Sequence, residues 1–338
     1  MRLALATLPR YSLATLPTPL QRARNLEAAL GPRCPRIYIK RDDLTGLASG
    51  GNKVRKLEYL LADALAHDAT TLVTEGAAQS NHARVTAAAA VIAGLRSMLV
   101  LDARHGSDIA GNLLLDHLLG AKVRIVADKA ARTALMESIG DELRAAGERP
   151  YMIPTGGSVP IGAAGYVTMV AELVAQLATA GVAPSRLYFA TGSLGTQAGL
   201  VVGARAFSAP FAVYGVAVEH PLEKLIADGA ALANATAAFL GLRGHREISE
   251  SDIAIDGEFI GTAYGVPTDA GMEAIRLLAR TEAVFLDPVY SGKAMSALIS
   301  HVRGGTLDPN EAVVFLHTGG GPSLFATGAA LLEPIVRS

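Results

Sequence analysis

Short β-rich runs alternate with longer helical patterns along almost the whole chain, and that alternation leaves few folds open. Ile37–Lys40, Thr70–Thr74, Met98–Leu101, Lys122–Val126, Leu187–Ala190, Ala212–Val216 and Ala312–Leu316 read as strands. Helical patterns lie between them, among them Val54–Leu60, Gln79–Gly94, Ile109–Leu119, Ala163–Ala178 and Thr268–Arg280. Strand–helix alternation implies βαβ units, so the expected class is α/β, with open twisted parallel sheets covered by helices. Such sheets bind ligands in the loops that leave the carboxyl ends of their strands. Several glycine-rich segments fall at those places.

The chain has 338 residues, enough for two domains. Composition changes around Tyr151–Gly165 and at Gly50–Asn52 suggest two crossings of the chain between them. The expected division is a large domain of residues 1–53 and 161–338, with residues 54–160 as a smaller inserted α/β domain. Half the residues are hydrophobic and 18% are charged, as in a globular enzyme. The net charge of −1 speaks against nucleic acid or an anionic membrane as partner. Mean hydropathy is positive, but the apolar run Val85–Leu95 is too short to span a bilayer. No signal-peptide pattern is expected at the N-terminus. The single cysteine, Cys34, agrees with a reducing, cytoplasmic setting.

Lys53 stands directly behind a Gly50-Gly51-Asn52 turn and at the start of a helix. On its own the segment reads as a surface lysine. If packing dries it, its ammonium pKa falls, and the amine becomes a nucleophile or Schiff-base partner. The loop Gln79-Ser80-Asn81-His82 collects polar side chains between a strand and a helix, and helix capping by Ser80 or Asn81 accounts for it equally well. Thr191-Gly192-Ser193-Leu194-Gly195-Thr196 follows a strand and opens a helix. Its glycines, hydroxyls and free N–H groups suit a phosphate, although a plain βα turn is nearly as good a reading. It is neither a Walker loop nor a G-x-S-x-G elbow. Gly261–Pro267, Asp287–Lys293 and His317–Pro322 are further loops with tyrosine, serine or threonine beside glycine. The eight histidines show no metal-ligand spacing. His82, His220 and His317 read as packed or solvated. Lysine, phosphate loop and a neutral hydroxyl after the last strand together are what pyridoxal 5'-phosphate requires.

These segments, with Lys40-Arg41-Asp42-Asp43, Tyr264-Gly265-Val266-Pro267, Asp287-Pro288-Val289-Tyr290 and His317-Thr318-Gly319-Gly320, resemble the D-cysteine desulfhydrase / 1-aminocyclopropane-1-carboxylate (ACC) deaminase family over nearly the whole chain. The resemblance implies the fold type II architecture of pyridoxal phosphate enzymes, similar to tryptophan synthase β, and a homodimer. It implies that Lys53 holds the cofactor, next to Asn52, and that Asn81 bonds the ring hydroxyl. Thr191, Gly192, Ser193, Leu194, Gly195 and Thr196 would bind the phosphate, and Thr318 would meet the ring nitrogen. Ser80, Asn81, His82, Tyr264, Tyr290 and Ser291 would face a small amino-acid substrate, with Lys53, Ser80, Tyr264 and Tyr290 taking part in catalysis. The ACC deaminase branch has glutamate and leucine where this chain has Ser291 and Thr318. A carboxylate beside the pyridine nitrogen would keep it protonated, and a hydroxyl would not. The expectation is therefore α,β-elimination from a sulfur amino acid, D-cysteine first. L-Cysteate desulfonation is the nearest alternative and ACC deamination is less favoured. No role could be read for residues 219–258.

Overall fold

The computed structural model describes residues 4–103, 108–219, 221–242 and 246–327. In chain order its elements are β1 (Leu20–Arg22), α1 (Arg24–Leu30), β2 (Arg36–Lys40), α2 (Asn52–Ala66), β3 (Thr71–Ala77), α3 (Asn81–Ile92), β4 (Arg96–Asp102), α4 (Gly111–Leu118), β5 (Lys122–Val126), α5 (Lys129–Ala145) and β6 (Pro150–Ile153). There follow α6 (Pro160–Ala180), β7 (Arg186–Thr191), α7 (Gly195–Ala206), β8 (Ala212–Ala217), α8 (Leu222–Phe239), β9 (Ala254–Asp256), α9 (Asp269–Glu282), α10 (Ser291–Arg303), β10 (Ala312–Leu316) and α11 (Gly321–Thr327). His220 lies outside the described residues.

The strands form two sheets, of order β1-β2-β10-β7-β8-β9 and β5-β4-β3-β6. Among the described residues only the β1–β2 pairing is antiparallel; the others are parallel, as βαβ crossovers require. The central strands β10 and β7 carry near-continuous apolar runs because helices cover both faces of the sheet. One core gathers side chains of α6, α7 and α8 on one face, among them Val167, Leu173 and Leu200. The other packs α1, α9 and α10 on the opposite face through residues such as Leu26, Leu278 and Leu298.

The uncharged run Pro150–Ala171 is longer than the Val85–Leu95 segment singled out from the sequence, and it feeds α6. Helix α6 is the one described helix long and apolar enough to cross a membrane. Its apolarity serves the interior: Tyr166, Met169, Val170 and Leu173 are fully buried. Glycines let α6 press against its neighbours. A Cβ at Gly165 would stand 2.3 Å from the Arg55 carbonyl of α2, and one at Gly199 of α7 would stand 2.3 Å from the Ala163 carbonyl of α6.

A buried ionic cluster anchors the start of α2. Arg55 donates to Asp42 from Nε and Nη2, each at 2.8 Å, and to Glu172 from Nη1 and Nη2, each at 3.0 Å. Lys40 bonds Glu172 and the Thr18 carbonyl. Tyr166 and Thr18 complete the shell around Asp42. All of these groups fix the residue two places beyond Lys53.

Candidate active site

The site lies where the carboxyl ends of both parallel sheets face one another. β3 delivers the loop to Ser80, β7 ends at Thr191, β8 leads to Glu219, and β10 leads to Thr318. Between them is a cavity of about 680 Å³. Its walls include Asn52, Lys53, Ser80, Asn81 and His82 on one side. Thr191–Leu194, Thr196, Tyr264, Tyr290 and Thr318 face them.

Gly51 has φ +112, and a Cβ there would sit 3.1 Å from the Thr318 carbonyl. That close approach lets the Asn52 N–H bond the same carbonyl at 2.9 Å, tying the head of α2 to the loop after β10. Arg84 of α3 braces the preceding turn by bonding the carbonyls of Ala48 and Gly50. Lys53 is thereby aimed into the cavity. Burial pushes its ammonium down to about 8.

The loop after β7 is shaped for an anion. Leu194 takes φ +68 and turns the chain into α7, which starts at Gly195 and whose N-terminal end borders the cavity through Leu194 and Thr196. The Asn52 side chain donates to Thr196 Oγ1 at 3.1 Å. Thr191 Oγ1 is buried without a hydrogen-bond partner. Both ring nitrogens of His82 are also buried and unpartnered, and burial holds its imidazole neutral. Native interiors rarely leave such atoms unmet, so they mark a place where a polar group is received. Lysine, hydroxyl-lined helix N-terminus and orphaned polar atoms fit pyridoxal 5'-phosphate.

Two expected residues stand apart. Ser291 is fully buried and outside the cavity wall. Its Oγ donates to Asp287 at 2.6 Å, and Asp287 also accepts the N–H groups of Val289, Tyr290 and Ser291. The serine is short enough to be consumed by this turn and so does not face the substrate space. Gly195 does not line the cavity either. Its missing side chain leaves room for Lys56 Nζ and Ser158, which a Cβ would meet at 2.6 and 2.9 Å. Ser80 does both things weighed for it: it lines the cavity and caps α3, accepting the Ala83 N–H at 3.2 Å.

Tyr264 and Tyr290 join hydroxyl to hydroxyl, with ring centroids 5.9 Å apart. Burial raises Tyr264 to about 12 and Tyr290 further, so both are neutral phenols. Sequence reasoning missed Lys56, which is fully buried, donates to the Gly156 carbonyl at 3.0 Å and is pushed well down by burial and by Lys53. It also missed Arg132, which lines the cavity while bonded to Glu75 and Asp102. Their partners lie far along the chain, so no local pattern marks them.

The family model described as pyridoxal-phosphate dependent enzyme matches residues 11–319. The chain belongs to that family, and its cofactor is pyridoxal 5'-phosphate. Within it, the chain is 41% identical over 327 residues to D-cysteine desulfhydrase of Salmonella typhi, covering 95% of this chain and 97% of that protein. The crystal structure of an ACC deaminase homologue superposes with a TM-score of 0.87 at 38% identity, over 97% of this chain and 96% of that one. The crystal structure of a T.th. threonine deaminase, at 24% identity and a TM-score of 0.66 over 90% of this chain and 92% of that one, shares the fold. The resemblance drawn from the motifs and the fold type II architecture are both borne out.

Proposed function

We propose that the protein catalyses α,β-elimination of D-cysteine to pyruvate, ammonia and hydrogen sulfide. The observation that carries this reading is the lowered Lys53 amine facing the Thr191–Thr196 loop and the Tyr264–Tyr290 pair across one cavity. The likeness to D-cysteine desulfhydrase over 95% of the chain supports the substrate.

When bound, pyridoxal 5'-phosphate supplies an electron sink for the charge left at the substrate α-carbon. Lys53 would hold it through Nζ, and its free Nζ would be placed to take the substrate α-proton, a role that suits an amine near 8. The N-terminus of α7, Thr191 and Thr196 would hold the phosphate, and Lys56 behind Gly195 would add an N–H donor. Asn81 would donate to the ring oxygen, and Thr318 would offer the ring nitrogen a hydroxyl without a charge. Ser80 and His82 line the wall toward the substrate carboxylate. The neutral Tyr264–Tyr290 pair supplies a proton to the departing sulfur. Cysteine and water thus give pyruvate, ammonia and hydrogen sulfide.

The two sheets, one built within residues 71–153, support the inserted-domain division, although α2 runs across the boundary placed at residue 54. The family resemblance supports a homodimer, and the single Cys34 a cytoplasmic setting.

The test is keto-acid release by purified protein given D-cysteine, L-cysteine, L-cysteate and ACC separately. Pyruvate with sulfide from D-cysteine is expected. Pyruvate with sulfite from L-cysteate alone would replace the substrate, and 2-oxobutyrate from ACC would refute the argument from Thr318.

A further inference from the structure

Asn81 presents one side of its amide to the cavity and the other to α4. Its Oδ1 accepts from Asn112 Nδ2 at 3.0 Å. Asn112 is fully buried at the head of α4. The same Nδ2 donates to the Gln79 main-chain carbonyl at 3.0 Å and lies 3.0 Å from Ser323 Oγ of α11. A main-chain carbonyl can only accept, so the Gln79 contact fixes which end of the Asn112 amide is NH₂. Facing that NH₂, Asn81 has to offer its oxygen, and its own NH₂ is left for the cavity.

The seat of Asn112 is itself held by groups with no freedom to reverse. The Gln79 side chain accepts the Asn112 main-chain N–H at 2.9 Å through Oε1 and donates to the Ala110 carbonyl at 3.0 Å through Nε2. Gly111 between them has φ +53, and a Cβ there would stand 2.6 Å from both Gln79 Oε1 and the Pro322 carbonyl. The head of α4 is therefore stitched to the 79–81 loop at a depth only glycine allows.

We propose that Asn112 is a positioning residue: it sets the amide of Asn81 so that an N–H donor, not a carbonyl, meets the ring oxygen of the cofactor. This rests on the reading of Asn81 given above. An oxygen in that place would face the partly negative ring oxygen and repel it. An amide free to rotate would present the wrong end part of the time.

The test titrates cofactor-free protein with pyridoxal 5'-phosphate, reading the dissociation constant and the position of the visible band of the Lys53-bound cofactor. The proteins compared are wild type, Asn112→Asp, Asn112→Ala, Asn81→Ala, the double alanine variant and Ser323→Ala. Asn112→Asp offers only acceptors, so Asn81 turns its NH₂ away from the cavity. Binding is then expected to weaken about ten-fold, the scale of one hydrogen bond to a charged oxygen, and the band to shift. Asn112→Ala should shift it in the same direction, and the double variant should bind no more weakly than Asn81→Ala alone. Ser323→Ala, which loosens only the tie to α11, should bind as wild type. If Asn81→Ala perturbs binding but the Asn112 variants do not, or if the double variant is additive, the positioning role is overturned while the Asn81 reading stands. If Asn81→Ala leaves both constant and band unchanged, the Asn81 reading fails and the inference with it.

Discussion

Asp42→Asn is the sharpest test of the buried cluster that seats α2. Asp42 accepts four side-chain hydrogen bonds: Thr18 Oγ1 at 2.8 Å and Arg55 Nη2 at 2.8 Å on one oxygen, Arg55 Nε at 2.8 Å and Tyr166 Oη at 2.7 Å on the other. Asparagine keeps the volume but turns one oxygen into a donor, which then faces two donors. Arg55, almost wholly buried, also loses one of its two counter-charges and keeps Glu172. Removing one partner of a buried pair costs about 3–5 kcal/mol, and the surviving Glu172 contact places this variant near the lower end, about 3 kcal/mol. Urea unfolding of the cofactor-free protein, with midpoint and slope fitted together, measures it. The effect also has a pH signature. Burial by itself would raise the Asp42 carboxyl, but Arg55 overrides it and holds the carboxyl below its usual value. Its contribution is therefore complete above the unfolded carboxylate value of about 4 and fades as pH falls through the folded value. The gap between wild type and variant should narrow in acid. A loss below about 1 kcal/mol at neutral pH, against the several expected for a buried pair, would refute the reasoning.

Lys53→Ala should lower turnover at least a thousand-fold, as loss of a covalent catalytic group does, and remove the visible colour; an active variant would sink the assignment. Thr191→Val deletes a hydroxyl that has no partner in the protein. The melting temperature of cofactor-free protein should hold or rise while affinity for pyridoxal 5'-phosphate falls about ten-fold, and equal affinity would count against the phosphate loop. Gly199→Ala should destabilise by at least about 1–3 kcal/mol, because its Cβ meets main chain that cannot yield; thermal unfolding reads it. Because Lys53 is lowered to about 8, capture of pyridoxal 5'-phosphate should accelerate with pH up to that value and then level off. In the same protein Lys53 binds fewer protons folded than unfolded between about 8 and the usual lysine value of about 10.4, so its contribution to stability rises across that window. A capture rate flat from neutral pH to pH 9 would contradict the lowered amine.

What could be read from the chain was what local composition encodes. Alternating apolar runs foretold the parallel sheets, and glycine beside hydroxyl marked the loops after β7 and β10. The strands are nevertheless longer than local propensity implies. Glu75, Gly76 and Ala77 belong to β3 because β4 pairs with them through Asp102, a contact invisible to local propensity. Arg55, Lys56 and Glu58 look like a solvated helix face. They are buried because Glu172, Gly156 and the N-terminal segment come to meet them from far along the chain. Ser291 was misplaced for the converse reason. Its neighbour Asp287, four residues back, stands in the Asp-Pro-Val-Tyr motif, and nothing local marks it as the acceptor that claims the hydroxyl. The unread stretch after residue 219 contains α8, whose small residues Gly229, Ala230 and Ala233 pack inward without a strong amphipathic stripe.

The glycine contacts along α6 carry a mechanical consequence. Where Gly165 meets the Arg55 carbonyl and Gly199 meets the Ala163 carbonyl, main chain bears directly on main chain. Such a joint has no side-chain rotamers to absorb a shift, so α2, α6 and α7 travel as one block. The lysine and the phosphate loop ride on that block and keep a fixed separation. Helix α3, behind Ser80 to His82, meets α2 instead through side chains such as Leu57, Val85 and Ala89. The distance between the lysine and the phosphate loop is thus set by main-chain contact and not by the choice of side-chain rotamer.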